Sequence, residues 1–143
     1  MSDIPFLATS RRRRARERAL ELLYEAEMKS VKLDLLLSDQ VIAPDDYTVE
    51  LVKAVAENLD LIDAKITAHS RTWNIERLAV VDRQLLRIAL CEIYFIEEVP
   101  DAVAIDEAVE LAKEFSTEDS PKYINGILGA ALTEKNTCRD PGP

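Results

Sequence analysis

The sequence predicts an all-α protein, and three observations carry that reading. Breakers are scarce: the 143-residue chain has three glycines and six prolines, and two of those prolines lie in its last three residues. Alanine, leucine, isoleucine and glutamate are abundant, and apolar residues recur at helical spacing along most of the chain. No stretch alternates as a strand would, and there is no internal repeat. At 48% hydrophobic, the chain is long enough to bury the core of one compact domain.

The elements follow in order. Residues 1–9 read as a flexible lead-in, and Ser10 as an N-cap. Ala15, Ala19, Leu22, Leu23 and Ala26 then form one apolar helix face. Leu33 to Ile42 reads as a short helix ended by Pro44. Asp45 and Asp46 open a long helix carrying Val52, Val55, Leu59, Ile62 and Ile66. Trp73 marks a junction, buried between the two halves of the chain. Leu78 to Phe95 is apolar on nearly every face except at Asp82, Arg83, Gln84, Arg87 and Glu92, which makes it the central helix of the second half. Pro100 stops it. Ala104, Ala108, Leu111, Ala112 and Phe115 form the stripe of the next helix. Ser120-Pro121, an N-cap followed by proline at the first helical position, starts the last one, which packs through Ile124, Ile127, Leu128 and Ala131. Residues 136–143 read as a disordered tail.

Charge gives the main clue to function. Arg11, Arg12, Arg13, Arg14, Arg16 and Arg18 fall within eight residues of a chain whose formal net charge is −9. Their position opposes the helix macrodipole, and like charges four apart repel, so local stability is sacrificed. A solvated face, a nuclear localisation signal and an anionic membrane surface are the competing explanations. Six arginines on an acidic chain outweigh the first, a flexible setting would suit the second, and the third lacks bulky apolar anchors. RNA or DNA binding is the best single account. On the last helix, Lys122 and Tyr123 occupy the first turn, where free N–H groups attract phosphate and an aromatic ring can stack on an unpaired base. Packing of Tyr123 under a neighbouring helix is the even alternative. Close helix packing is the default reading of Asn125-Gly126.

Catalytic constellations are missing, and the chain reads as no enzyme. His69, the one histidine, reads as a dipole-compensating surface residue and builds no zinc site with the distant Cys91 and Cys138. Asp45-Asp46 and Glu97-Glu98 read as caps or solvated surface, and no phosphate loop or nucleophile elbow appears. Two cysteines make no disulfide scaffold, which fits a reducing cytoplasm. No stretch approaches a membrane span. Ser10 before the arginines suggests a twin-arginine export signal, but Ala19 to Met28 holds three glutamates and no apolar run.

Four segments together resemble the NusB family of bacterial transcription antitermination factors. They are Arg12-Arg13-Arg14-Ala15-Arg16-Glu17 with Ala19 and Leu23-Tyr24; Leu86-Arg87-Ile88-Ala89 with Glu92; Pro100 with Val103-Ala104-Ile105-Asp106-Glu107-Ala108 and Leu111-Ala112-Lys113; and Phe115, Asp119-Ser120 and Asn125-Gly126-Ile127-Leu128. The resemblance spans roughly residues 10–132. It implies a helical RNA-binding domain over 10–135, with about seven helices in two small subdomains, 10–72 and 73–135. It also implies binding of boxA single-stranded RNA in nascent ribosomal RNA transcripts, jointly with the small-subunit ribosomal protein NusE, inside an RNA polymerase antitermination complex in the cytoplasm. No cofactor is implied.

By position, the resemblance puts Arg12, Arg13, Arg14 and Arg16 against RNA on the first helix, with Lys122, Tyr123 and bordering Asp119 on the last. Tyr24, Glu76 and Asp82 fall on the NusE face; from its own stripe, Tyr24 reads as core rim. Asp82→Lys is expected to impair that pairing while sparing the fold. Two departures stand out: Asp106 where the family often has Asn, and Pro121, which removes a backbone donor near the RNA surface. Two alternatives remain: a homodimer that masks the basic helix, and a relative of the RNA-binding domain of ribosomal RNA cytosine methyltransferases, for whose α/β domain a tail ending at residue 143 leaves no room.

Overall fold

The computed structural model describes residues 5–70 and 74–139, with side chains described for 10–70 and 74–137. Trp73 and the side chain of Cys138 fall outside these. Seven α-helices follow one another among the described residues: α1 Pro5–Lys29, α2 Leu33–Ser38, α3 Asp46–Glu57, α4 Leu59–His69, α5 Val80–Phe95, α6 Asp101–Phe115 and α7 Ser120–Arg139. A short 3-10 turn, Ile75–Arg77, precedes α5.

The expected central helix is central. α5 packs against α1, α3, α4, α6 and α7, and most of its residues are buried. Leu85, Leu86 and Leu90 of α5 meet Leu22, Leu51, Ile62, Ile66, Leu111, Ile124 and Leu128, all fully buried, in one continuous core. That core runs through both halves of the chain, because α5 serves each of them.

Local chemistry explains where helices begin and end. α1 starts at Pro5, ahead of the expected cap, and Ser10 lies within it. Proline suits a first turn, where its missing N–H costs nothing. α1 closes with Ser30 in the left-handed region (φ 55°), while the Val31 N–H reaches back to the Ala26 carbonyl at 3.0 Å. α2 stops at Ser38, short of Ile42; the Asp39 N–H bonds the carbonyls of Leu35 and Leu36, leaving Val41 and Ile42 exposed.

The expected long helix is two helices. Asn58 breaks it at φ −119°, ψ 20°, with its side-chain amide donating to the Ala54 carbonyl at 2.8 Å. Asparagine competes in this way for backbone acceptors that a helix would use. The bend lets Val52 and Val55 on α3 and Ile62 and Ile66 on α4 all enter the core.

At the other end, α7 runs past residue 135, through part of the expected tail, to Arg139. Lys135 anchors it there, donating to the Ile93 carbonyl at 2.5 Å and to Asp101 at 3.0 Å. Gly126 does not serve close packing, since a Cβ added to it would meet nothing within 4 Å. Phe115, expected in the core stripe, is 45% exposed.

Candidate nucleic-acid and partner interface

The helix of α1 divides its six arginines between two flanks, because a rotation of 100° per residue sets 12, 13 and 16 against 11, 14 and 18. On the first flank the charges are answered from inside the protein. Arg16 is buried, with its side chain 2% exposed, and its Nε lies 2.8 Å from Oε2 of Glu92, itself 1% exposed. Arg16 Nη1 donates to Glu107 at 3.2 Å, and Arg13 donates to the same carboxylate through Nε at 3.0 Å and Nη2 at 2.5 Å. Tyr47 completes the cluster, its hydroxyl donating to Glu92 while its ring lies under Arg12 and Arg16, 5.3 and 5.9 Å from their guanidinium carbons. The hydrogen bond from Arg13 holds the Glu107 carboxyl below its usual range, whereas burial raises that of Glu92 against the pull of Arg16 and Tyr47.

Arg16, which the resemblance put against RNA, is buried here between Glu92 and Glu107. Its guanidinium is a counter-ion for two glutamates that α5 and α6 carry into the interior. Arg13 is half-exposed and committed to Glu107. Arg12 is partly exposed over Tyr47, and Arg14 is exposed.

A second cluster sits where α5 begins. Asp82, which the resemblance put on the NusE face, is largely buried. It accepts hydrogen bonds from Ser116 Oγ at 2.5 Å and Ser120 Oγ at 2.8 Å, and Ser120 Oγ accepts from the Thr117 N–H at 3.3 Å. Ser120 thus ties the α6–α7 turn to α5 instead of capping α7; the carbonyl of Asp119 takes the first amide, that of Tyr123. The expectation that Asp82→Lys spares the fold is corrected accordingly. Asp82→Ala is expected to cost about 1.5–3 kcal/mol, the worth of hydrogen bonds to a charged acceptor. Urea unfolding measures it, and an unchanged midpoint would show that the turn holds without Asp82.

Three grooves open on α1, α5, α6 and α7, and two of them share Asp119 and Tyr123. In the first, of about 360 Å³, the half-exposed rings of Tyr24 and Phe115 and the side chain of Val81 lie beside Glu17, Glu21 and Glu25. Burial raises the Glu17 carboxyl, and the neighbouring Glu114 and Glu21 charges add to the effect. The second groove, of about 290 Å³, runs past Asp82 to Asp119 and Tyr123. Those two residues also line the third, of about 560 Å³, with Lys122, Gly126 and Ile127. Here Tyr123 Oη lies 2.5 Å from Ser70 Oγ, which fixes the ring while leaving it partly exposed. His69 lines the same groove and pairs with Glu134 at 2.7 Å. Glu76 is exposed on the 3-10 turn.

Lys122, Tyr123 and Asp119 are thus brought together, and Tyr24 lines a separate groove. The arginines are not with them. Arg16 meets Glu92 and Ser120 meets Asp82, ten residues earlier on α5, which separates the two ends by about 15 Å along the helix axis.

Among the described residues no group of His, Cys, Asp and Glu is placed to hold a metal, and no helix is long and apolar enough to cross a membrane. Burial pushes the Cys91 thiol up to about 12, so it stays protonated in the core. Sequence reasoning missed Tyr47, Phe115 and the pairing roles of Glu92 and Glu107. A charged residue inside an apolar helix, as Glu92 is, was the available signal.

A sequence profile of the NusB family matches residues 13–133. The chain belongs to the NusB family. The transcription antitermination protein NusB of Bifidobacterium longum is 47% identical over 133 residues, covering 89% of this chain and 70% of its own length. That of Beutenbergia cavernae is 43% identical over 143 residues, covering 90% and 94%. Among solved structures, T. maritima NusB superposes with a TM-score of 0.78 at 35% identity, covering 86% of this chain and 91% of that one. A crystal structure of the antitermination factors NusB and NusE in complex with double-stranded RNA gives a TM-score of 0.73 at 25% identity, covering 86% and 96%. The NusB profile begins at Arg13, so Arg11 and Arg12 precede the matched span.

Proposed function

We propose that this chain is a transcription antitermination factor. It binds boxA RNA of nascent ribosomal transcripts together with NusE, and the pair joins the elongating polymerase complex. What supports this reading is that Asp119 and Tyr123 line two of the three grooves, while Val81 of the first and Asp82 of the second are consecutive on α5. The first offers aromatic and aliphatic contact edged by glutamates, a surface suited to a basic protein such as a small ribosomal protein. The groove of Tyr123 and Lys122 offers a partly exposed ring suited to stacking on an unpaired base, and the first turn of α7 suits a phosphate. Protein partner and RNA can then lie edge to edge, so each stabilises the other. A solved complex of NusB and NusE with double-stranded RNA, on a chain of the same fold, supports pairing with NusE and binding of RNA.

RNA contacts on α1 fall to Arg12 and Arg14, with Arg13 sharing its charge with Glu107. The partner face consists of Tyr24, Val81 and Phe115, with the exposed Glu76 as a further contact. Tyr24→Ala combined with Phe115→Ala is expected to weaken NusE binding at least tenfold in a calorimetric titration, because exposed aromatics at the centre of an interface carry most of its energy. Unchanged affinity, with the fold intact by circular dichroism, would remove this groove from the partner face.

A further inference from the structure

We propose that Glu134 is a positioning residue for the RNA groove of α7, and that with His69 it forms a proton-sensitive latch fixing the Tyr123 ring through Ser70. The proposal rests on the RNA-binding reading above and adds a regulation of that groove by pH.

Helical spacing builds the latch. Lys65 and His69 lie one turn apart on α4, and each takes one oxygen of Glu134 on α7. Lys65 Nζ donates to Oε1 at 2.5 Å, and His69 Nε2 lies 2.7 Å from Oε2. Ser70 follows at once. It has left the helix, with φ −96° and ψ 98°, and its N–H makes a long bond of 3.4 Å to the Thr67 carbonyl. Its hydroxyl is the one that meets Tyr123 Oη. The end of α4 is therefore tied to α7 at Tyr123 and at Glu134, which lie about 16 Å apart along the helix axis. The stretch of α7 between these ties lines the groove through Tyr123, Gly126, Ile127 and Ala130, and His69 lines it from α4.

His69 is the chain's one histidine, and an imidazole changes charge between about pH 5 and 8. Hydrogen bonds from Lys65 and His69 hold the Glu134 carboxyl below its usual range, so it stays ionised throughout. A protonated ring makes a charge-assisted bond to that carboxylate, about twice as strong as a neutral one. The C-terminus of α4, where His69 sits, favours the same charge. His69 is faced by Lys65 on its own helix, by Glu134, Lys122 and Tyr123 on α7, and by Asp119 just before α7. From α5, the Tyr94 ring lies 5.2 Å from Lys65 Nζ. Lys122 and Asp119 are exposed and opposite in sign, so Glu134 dominates. The latch is tightest with His69 protonated and loosens as pH rises. A tight latch holds Ser70, and with it the Tyr123 ring, ready for a base before RNA arrives.

The test is a calorimetric titration of the full chain with a single-stranded RNA of about 12 nucleotides, at constant ionic strength, from about pH 8 down to about pH 5.5. Wild type should bind up to about fivefold more tightly at the acidic end, the factor that separates a charged from a neutral hydrogen bond. His69→Gln and Glu134→Gln should both lose this rise and bind throughout as wild type does at the alkaline end. Tyr123→Phe, which lacks the Ser70 bond, should lose it too while keeping a stacking face. One histidine gives one set of imidazole signals, so NMR follows the latch without RNA, and their pH titration should move in Glu134→Gln. Melting curves check the fold of each variant.

A rise that survives in Glu134→Gln but not in His69→Gln would mean that His69 meets the RNA itself, and the latch is overturned. An imidazole titration unmoved by Glu134→Gln overturns it as well, whether or not that variant binds RNA. If wild type binds equally at every pH while Tyr123→Ala still weakens binding, the latch fails and the RNA reading stands without it. If wild type binds no RNA at any pH, both fall together.

Discussion

Arg16→Ala is expected to lower the unfolding free energy by about 3–5 kcal/mol, the cost of leaving a buried carboxylate without its partner. Two glutamates depend on this guanidinium. Glu92 has no solvent to turn to, and its remaining partner is the hydroxyl of Tyr47. Glu107 keeps Arg13, which is closer to water. Urea unfolding followed by circular dichroism measures the loss. Arg16→Met with Glu92→Gln should recover a large part of it, since removing both charges also removes the desolvation penalty. A midpoint for Arg16→Ala within error of wild type would show that the cluster is not what locks α1 onto α5. The same result bears on function, because any loss of RNA binding in Arg16→Ala must first be corrected for the fraction of folded protein.

Tyr123→Ala is expected to weaken RNA binding by about 1–3 kcal/mol, the usual loss when a base loses its aromatic platform. That corresponds to roughly 5- to 150-fold in Kd. The ring packs at the edge of the core and its hydroxyl meets Ser70, so part of its role is structural. Tyr123→Phe separates the two, keeping the stacking face while giving up the Ser70 hydrogen bond. Near-wild-type affinity for Tyr123→Phe beside a large loss for Tyr123→Ala, measured by anisotropy with a melting curve for each variant, assigns the ring to RNA. Equal affinities for Tyr123→Ala and wild type would exclude it.

The fold was largely legible because burial follows helical spacing. Ile124, Ile127, Leu128 and Ala131 fall on one face of α7, and Leu85, Leu86 and Leu90 sit where the pattern of α5 put them. The break at Asn58 was not visible, since the apolar repeat continues through it and only the side-chain amide bond to Ala54 marks the turn. The site was legible in composition but not in geometry. Six arginines announced an anion-binding helix, yet the residues that claim Arg13 and Arg16 lie 76 to 94 positions away on α5 and α6. No local pattern predicts such pairs. The hydrogen bonds of Asp82 were hidden for the same reason: its partners, Ser116 and Ser120, come from a turn that only the packing of α6 and α7 brings close.

The most direct test of the account is a titration of boxA RNA, with a scrambled control, in the presence and absence of NusE. Preferential boxA binding that tightens when NusE is added is the expected result. Equal, salt-sensitive binding to both RNAs, unaffected by NusE, would contradict it.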